Sequence, residues 1–238
     1  MVIMKKIKEL SVFFPAYNLE TQIESTVGSA FKVVPKLADK YEVIVVNDGS
    51  KDATGGILSK LTKKYKNLRI ITHKVNRGYG AALKSGFYNS KYNWIAFTDA
   101  DGQFDISELP NLIAKQEKIQ ADLVVGYYLK RQVSTVRKIN TFLWEAIVYF
   151  LFGLKVKDID CGFKLISKRV IDTLPKLESE RGAFISSEFL IKAQKKGFKI
   201  VEIGVHHYPR IEGKGTGANL NVIIKSFSDL FRLWKKLR

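Results

Sequence analysis

The 238-residue chain has one cysteine, Cys161. A lone thiol excludes an internal disulfide framework and fits a reducing compartment. Acids are scarce: 23 Asp and Glu stand against 40 Lys and Arg, giving a formal charge of +17. Long apolar runs are missing as well. The most apolar stretch, FLWEAIVYFLFGL at 142–154, would make a helix of only ~20 Å, short of the ~30 Å hydrocarbon core of a bilayer. No full transmembrane helix is expected. Residues 1–9 carry lysines but no apolar segment followed by small residues, so no signal peptide is expected either. With no internal repeat, low-complexity tract or linker, the expected organisation is one domain over 1–215 with a basic amphipathic helix appended at 216–238.

Hydrophobic residues make up 46% of the chain, enough for a sizeable core. Short β-rich runs alternate with helical stretches. Val12–Phe14, Val43–Val46, Leu68–Ile71, Trp94–Phe97 and Leu123–Val125 read as buried strands, and spaced apolar residues such as Ile57, Leu58, Leu61 and Tyr65 read as a helix between two of them. This alternation predicts an α/β fold: a mostly parallel sheet covered by helices on both faces. Ligands of such sheets bind beyond the carboxyl ends of the strands. Three predicted strands run into polar turns there: Pro15-Ala16-Tyr17-Asn18, Asn47-Asp48-Gly49-Ser50 and Asp99-Ala100-Asp101.

Excess positive charge implies an anionic partner, whether phosphorylated ligand, membrane surface or nucleic acid. Its alternative is a solvated lysine surface, which Lys60, Lys63, Lys64 and Lys66 suit. No nucleic-acid motif is present, and acidic strand ends would repel a phosphate backbone, so no nucleic-acid partner is expected. The apolar run 142–154 reads as a core helix or as a segment lying in a membrane interface. In the tail, Leu220, Ile223, Ile224, Phe227, Leu230, Phe231, Trp234 and Leu237 form one helical face, opposite Lys225, Arg232, Lys235, Lys236 and Arg238. Such a helix suits an anionic bilayer surface, or docks on the protein's own core. Two such segments in one basic chain favour peripheral membrane contact.

In an extended segment Asp99 and Asp101 share a face. Two close carboxylates repel, and a divalent cation relieves the conflict. Mg²⁺ takes one or two carboxylates together with waters and substrate phosphates, and Mn²⁺ accepts the same oxygens. Gly78-Tyr79-Gly80, with Leu83 at the third glycine position, is a poor dinucleotide fingerprint. It reads better as a turn into a helix N-terminus near a nucleotide or phosphate, with Lys84 adding charge or standing as a solvated helix lysine. His206 and His207 suit either a ligand contact or a strand's end, and Glu188 could cap a helix or line a pocket. Cys161 reads as a small packing residue.

FFPAYNLE (13–20), VNDGSKDAT (46–54), NRGYGAALKSGF (76–87), FTDADGQFD (97–105), VGYYLKR (125–131), DIDCGFKL (158–165) and HHYPR (206–210) occur in that order. Together they resemble an inverting glycosyltransferase of family 2, in the branch of dolichyl-phosphate mannose synthases and polyprenyl-phosphate glycosyltransferases. The similarity covers about residues 10–215. It implies a GT-A fold and a nucleotide-diphosphate sugar donor, GDP-mannose or UDP-glucose. Pro15, Tyr17, Asn18, Glu20 and Asp48 are implied around base and ribose, with Gly78 and Lys84 nearby. Asp99, Asp101 and Gln103 are implied at the Mg²⁺ or Mn²⁺ and the diphosphate. Asp158 corresponds to the family's acid before Gly-Phe, with Asp160 close to it. Arg131, Arg137 and Arg210 are implied at an acceptor phosphate.

Two positions depart from the family pattern. Leu19 stands where a second acid is usual, and Tyr127-Tyr128 where Gly-Ser-Arg is common, which leaves Arg131 as the nearest arginine. The resemblance further implies a polyprenyl or dolichyl phosphate acceptor, a site on the cytoplasmic face of a membrane, and room for a membrane partner protein. Its alternative is a saccharide hydroxyl acceptor in polysaccharide synthesis, which requires a catalytic carboxylate.

Overall fold

The computed structural model describes residues 6–130, 135–180, 184–209 and 220–237, with the side chains of 135–137 and 220–224 left aside. Arg131 and Arg210 lie outside the described residues, as does the expected boundary between 215 and 216, and only the backbone of Arg137 is described.

Seven strands form one sheet: β1 (Ile7–Ala16), β2 (Ala38–Asn47), β3 (Leu68–Thr72), β4 (Trp94–Phe97), β5 (Leu123–Tyr128), β6 (Lys164–Ser167) and β7 (Ile200–Val205), in the order β3-β2-β1-β4-β6-β5-β7. The helices are α1 (Ile23–Leu37), α2 (Thr54–Lys64), α3 (Tyr79–Asn89), α4 (Leu109–Ile119), α5 (Thr135–Phe152), α6 (Lys168–Thr173), α7 (Phe184–Lys195) and α8 (Leu220–Leu237). All five expected strands are present. β6 alone runs antiparallel to its neighbours β4 and β5, while the other pairs are parallel. Six strands therefore end at one edge of the sheet, and the loop that enters the reversed β6 lies at that same edge.

Alternation along the strands builds a core on each face. Val12, Phe14, Val43 and Val45 pack with α1, α2 and α4 through Val27, Ala30, Leu58, Leu61 and Leu112. Phe13, Ile44 and Val46 face the other way, onto Leu83 and Phe87 of α3, Val148 of α5, Phe189 of α7 and Leu230 of α8. Phe13, Phe87 and Phe97 form a triangle of rings, with centroids 5.1, 5.2 and 5.4 Å apart. Lys60, Lys63, Lys64 and Lys66 are exposed on and after α2, which matches the solvated-surface alternative.

Both apolar segments of the second half are helices, and no helix among the described residues is long and apolar enough to cross a membrane. They pack differently. α8 docks through Leu230 and Leu233, with Trp234 and Leu237 against the same core, so the docked alternative holds for its described side chains. α5 buries Val148 and Phe152 but leaves Phe142 and Phe150 in solvent.

Candidate active site

The loops after β1 and β2 are stitched together. Asn18, in the left-handed region at φ 52°, donates its backbone N–H to Ser50 Oγ at 3.0 Å and accepts from the N–H of Lys51 at 2.9 Å. Leu19 N–H donates to Thr54 Oγ1 at 2.8 Å. The Glu20 carboxylate accepts from Ala53 N–H at 2.8 Å, at the start of α2, where an anion is favoured by the exposed N–H groups and the helix dipole. Burial pushes the Asp52 carboxyl up, but bonds from the Thr54 side chain and from backbone N–H groups outweigh it and hold it below its ordinary value. Pro15 stands opposite Val46 in the β1 ladder, which ends one residue later with Ala16 opposite Asn47, and Tyr17, the next residue, is exposed.

Asp48, buried at the end of β2, organises the next loop. Its carboxylate faces His73 Nδ1 at 2.6 Å and accepts from Asn76 Nδ2 at 3.0 Å, Arg77 N–H at 2.9 Å and Gly78 N–H at 2.7 Å. His73 in turn bonds Ser85 of α3 at 2.8 Å. Gly49 is required here, because it has φ 69° and an added Cβ would lie 2.4 Å from the Val75 carbonyl carbon. The N–H groups of Arg77 and Gly78 thus have Asp48 as acceptor, and that of Ala81 has Glu180 O. Lys84 is paired with Glu180 at 3.0 Å, as is Arg77.

At the end of β4 the two acids take different partners. Asp99 Oδ1 accepts from the Tyr79 hydroxyl at 2.8 Å. Burial, then the neighbouring Asp99 charge, pushes that phenol well above its ordinary pKa, so it remains a donor. Asp101, nearly buried, accepts from Gln103 N–H at 3.1 Å across a turn in which Gly102 has φ 78°. Gln103 Nε2 lies 3.1 Å from His207 Nε2 and donates to Tyr208 O at 3.2 Å, and Tyr208 N–H returns a bond to Gln103 O. The His207 ring packs 4.4 Å from that of Tyr128. The segment after β7 is thereby fastened to the Asp99–Gln103 turn. A cavity of about 260 Å³ opens beside the turn, lined by Ser25, Thr26 and Ser29 of α1 together with Asp99, Gly102 and Tyr208.

The loop before β6 closes over Asp99. A Cβ on Gly162 would lie 2.4 Å from Asp99 Oδ2. Asp158 is buried and accepts from Asp160 N–H at 3.1 Å. Beneath them Lys164 is buried, donating to the carbonyls of Ile159 and Cys161, with its ammonium 5.5 Å from the Phe97 ring centre. Burial lowers the pKa of this lysine, opposed by the negative charge of Asp158, Asp160 and Asp99. Burial also pushes the Cys161 thiol up to about 12, which makes it an inert packing group as expected.

Asp99, Asp101, Gln103 and Asp158 are therefore brought to one sheet edge, joined there by His207. Glu188 lies mid-helix in α7, where its carboxylate accepts from the N–H groups of Glu178 and Ser179, both at 2.9 Å, and from Lys192 at 2.6 Å. Its role is to hold the 178–180 loop. Tyr79 and Lys164 were not anticipated, although both stand inside the quoted motifs. A lysine between Phe163 and Leu165 in a buried run was the available signal for the second.

The family model Glycosyl transferase family 2 matches residues 11–174. The chain belongs to that family. The transferase is 33% identical over 227 residues to the dolichyl-phosphate beta-glucosyltransferase of Homo sapiens, covering 87% of this chain and 69% of the relative. It is 32% identical over 222 residues to the enzyme of the same name from Dictyostelium discoideum, covering 86% and 67%. Its fold matches glucosyl-3-phosphoglycerate synthase from Mycobacterium tuberculosis, solved with Mn²⁺, uridine-diphosphate-glucose and phosphoglyceric acid, at a TM-score of 0.68 and 19% identity over 97% of this chain and 80% of that one. The expected GT-A-like fold is the observed one.

No group of three or more His, Cys, Asp or Glu able to hold a metal occurs among the described residues. Asp99 and Asp101 offer two carboxylates at one turn, the number that Mg²⁺ commonly takes from protein while drawing the rest of its shell from phosphate oxygens and water.

Proposed function

We propose that the transferase moves glucose from UDP-glucose to a polyprenyl phosphate, inverting the anomeric carbon. The observation that carries this reading is the convergence at one sheet edge of the Asp99–Gln103 turn, the Asp158 loop and the His207 segment. The relatives' names support prenyl-phosphate glucosylation. Glucose is preferred over mannose on the same ground, and UDP as its carrier because the structural neighbour glucosyl-3-phosphoglycerate synthase was solved with uridine-diphosphate-glucose.

A phosphate monoester has a second pKa near ~6, so at neutral pH it is largely a dianion and already nucleophilic. No strong base is required, unlike attack by a sugar hydroxyl. The protein's work is to hold two anionic reactants in line. Mg²⁺ or Mn²⁺, which Asp101 and Asp99 would hold beside Gln103, would supply Lewis-acid stabilisation of the departing diphosphate. Tyr79 and Gln103 fix the two carboxylates by donating to them. The stitched loops at Tyr17–Glu20 and Asp48–Ser50 form the floor for base and ribose. Asp48 contributes by holding the 76–78 loop, and Asp158 orients the sugar or acceptor. Arg131, Arg137 and Arg210 clamp the acceptor phosphate through planar, charge-assisted bonds. The reaction takes place at the cytoplasmic face of the membrane. A membrane partner protein finds no support in the comparisons.

The test incubates the chain with labelled UDP-glucose or GDP-mannose, Mg²⁺ or Mn²⁺, and polyprenyl phosphate. Label from UDP-glucose should enter the organic phase only when the lipid is present, and Asp101→Ala should abolish the transfer. Label appearing instead on an added saccharide would overturn the acceptor assignment.

A further inference from the structure

Lys164 is the most deeply buried cation among the described residues, 1% exposed, between Phe163 and Leu165, which are buried too. A methionine or leucine there would fill the core without the cost of taking an ammonium out of water. The strand ladder shows where that ammonium is kept. β6, which Lys164 opens, lies between β4 and β5, and Lys164 stands opposite Phe97 on one side and Val125 on the other. Phe97 is the last residue of β4 and precedes Asp99 by two. The ammonium lies 5.5 Å from the Phe97 ring centre, under the strand end from which the Asp99–Gln103 turn departs.

Two sets of interactions tie it to that turn. Its Nζ donates to the carbonyl of Ile159 at 3.3 Å and to that of Cys161, which staples the 158–162 loop from within. The loop meets Asp99 directly, since a Cβ on Gly162 would lie 2.4 Å from Asp99 Oδ2. On its other oxygen Asp99 accepts from the Tyr79 hydroxyl. Asp99 is therefore fixed between a neutral phenol and a loop whose shape depends on one ammonium. The second set is electrostatic. Four acids stand on the turn and the loop: Asp99, Asp101, Asp158 and Asp160. Burial lowers the pKa of Lys164, and the charges of Asp158, Asp160 and Asp99 oppose the shift, which places the cation within reach of three of the four.

We propose that Lys164 is a positioning residue of the transfer: its ammonium staples the 158–162 loop against Asp99 and, as a standing positive charge beside the acids, limits how tightly they draw a divalent ion. A cation in a low-dielectric surrounding repels a second cation strongly, so the acids bind metal less tightly than their number suggests. A moderate hold lets the ion leave with the nucleoside diphosphate after each turnover. The loop meanwhile stays formed before metal or nucleotide arrives, the preorganisation on which electrostatic stabilisation depends. This inference rests on Asp99 and Asp101 being the metal pair.

The experiment titrates Mn²⁺ into the full chain without nucleotide or lipid and follows free ion by electron paramagnetic resonance. Lys164→Gln removes the charge but keeps a hydrogen-bond donor, and Lys164→Arg keeps the charge. Lys164→Gln should bind Mn²⁺ about tenfold or more tighter, while its kcat falls on the order of tenfold or more and KM for the donor changes little. Lys164→Arg should keep the wild-type affinity. A merely structural staple would leave Mn²⁺ binding unchanged or weaker, and either result in Lys164→Gln would overturn the proposal. A second measurement uses the wild type alone. Lys164 and Lys192 are the buried lysines among the described residues, and buried ammonium groups in isotope-labelled lysine give slowly exchanging magnetic-resonance signals. Added Mg²⁺ should shift the Lys164 signal and spare that of Lys192, which is paired with Glu188 in α7; shifts at neither or equally at both would overturn the proposal. Mn²⁺ binding to neither wild type nor Lys164→Gln would overturn the metal reading and this one with it. Binding to the wild type that Lys164→Gln leaves unchanged overturns this one alone.

Discussion

Gly162→Ala tests whether the loop before β6 sets the geometry of the site. An added Cβ would lie 2.4 Å from Asp99 Oδ2 and 2.8 Å from its Cγ, so the carboxylate must retreat by roughly 1 Å to reach ordinary contact. It cannot retreat freely, because Oδ1 accepts from the buried Tyr79 hydroxyl at 2.8 Å. Overpacking of this kind costs about 1–3 kcal/mol, which lowers the melting temperature of a domain this size by roughly 2–10 °C. Displacing a catalytic group by about 1 Å costs on the order of 100-fold in turnover. The assays are calorimetry and steady-state transfer from labelled UDP-glucose, with kcat expected to fall far more than KM rises. Gly56→Ala is the matched control. That glycine lies inside α2 with nothing within 4 Å of an added Cβ, so the change should stabilise by about 0.5–1 kcal/mol and leave turnover alone. Wild-type turnover in Gly162→Ala would refute the claim that this loop positions Asp99.

Lys164→Met leaves three neighbouring carboxylates without their buried cation and two carbonyls without a donor. It should destabilise by about 3–5 kcal/mol in urea titrations, and a loss below about 1 kcal/mol would show that the ammonium is not the counter-ion described. Cys161, with its thiol pushed up to about 12, should resist iodoacetamide at pH 8 in the native protein and react once unfolded in urea; rapid native labelling would contradict its burial. Glu178 is held below its ordinary pKa chiefly by Lys236, and Glu180 by Lys84 and Arg77. Their contribution to stability is present above the unfolded carboxylate value of about 4.3 and disappears as pH falls through the lower folded values. Both carboxylates are about half exposed, so melting temperatures between pH 5 and 3 should converge for wild type and Glu180→Gln, and high salt should shrink their difference at pH 7. A difference that survives at pH 3 would place the effect elsewhere.

Legibility followed the range of the interactions. The five strands with a continuous apolar run were readable because alternation is a property of neighbouring residues, and the polar turns at their ends located the candidate site. β6 and β7 were not among them. β6 holds only four residues, one of them Lys164, and its reversal depends on pairing with β4 and β5. Asp99 and Asp101 were readable as a pair, yet their separate partners, Tyr79 and Gln103, follow from where the α3 turn comes to rest against β4. His207 carried two readings until its segment was seen bonded to Gln103, 104 residues away in sequence.

The sequence by itself determined the α/β class, the two-faced core and the edge at which chemistry is concentrated. Each is written in local periodicity and in strand-end composition, where propensity and burial agree. Only the tertiary structure decided how far each amphipathic helix is covered: both pack on the same core, yet α5 leaves Phe142 and Phe150 in solvent, because what covers a helical face is set by the elements that come to rest against it. It also decided that Lys164 is a buried counter-ion and that Asp48 and Glu188 are loop anchors. A charged side chain's role depends on which distant donors reach it once water has been excluded, and no spacing along the chain records that.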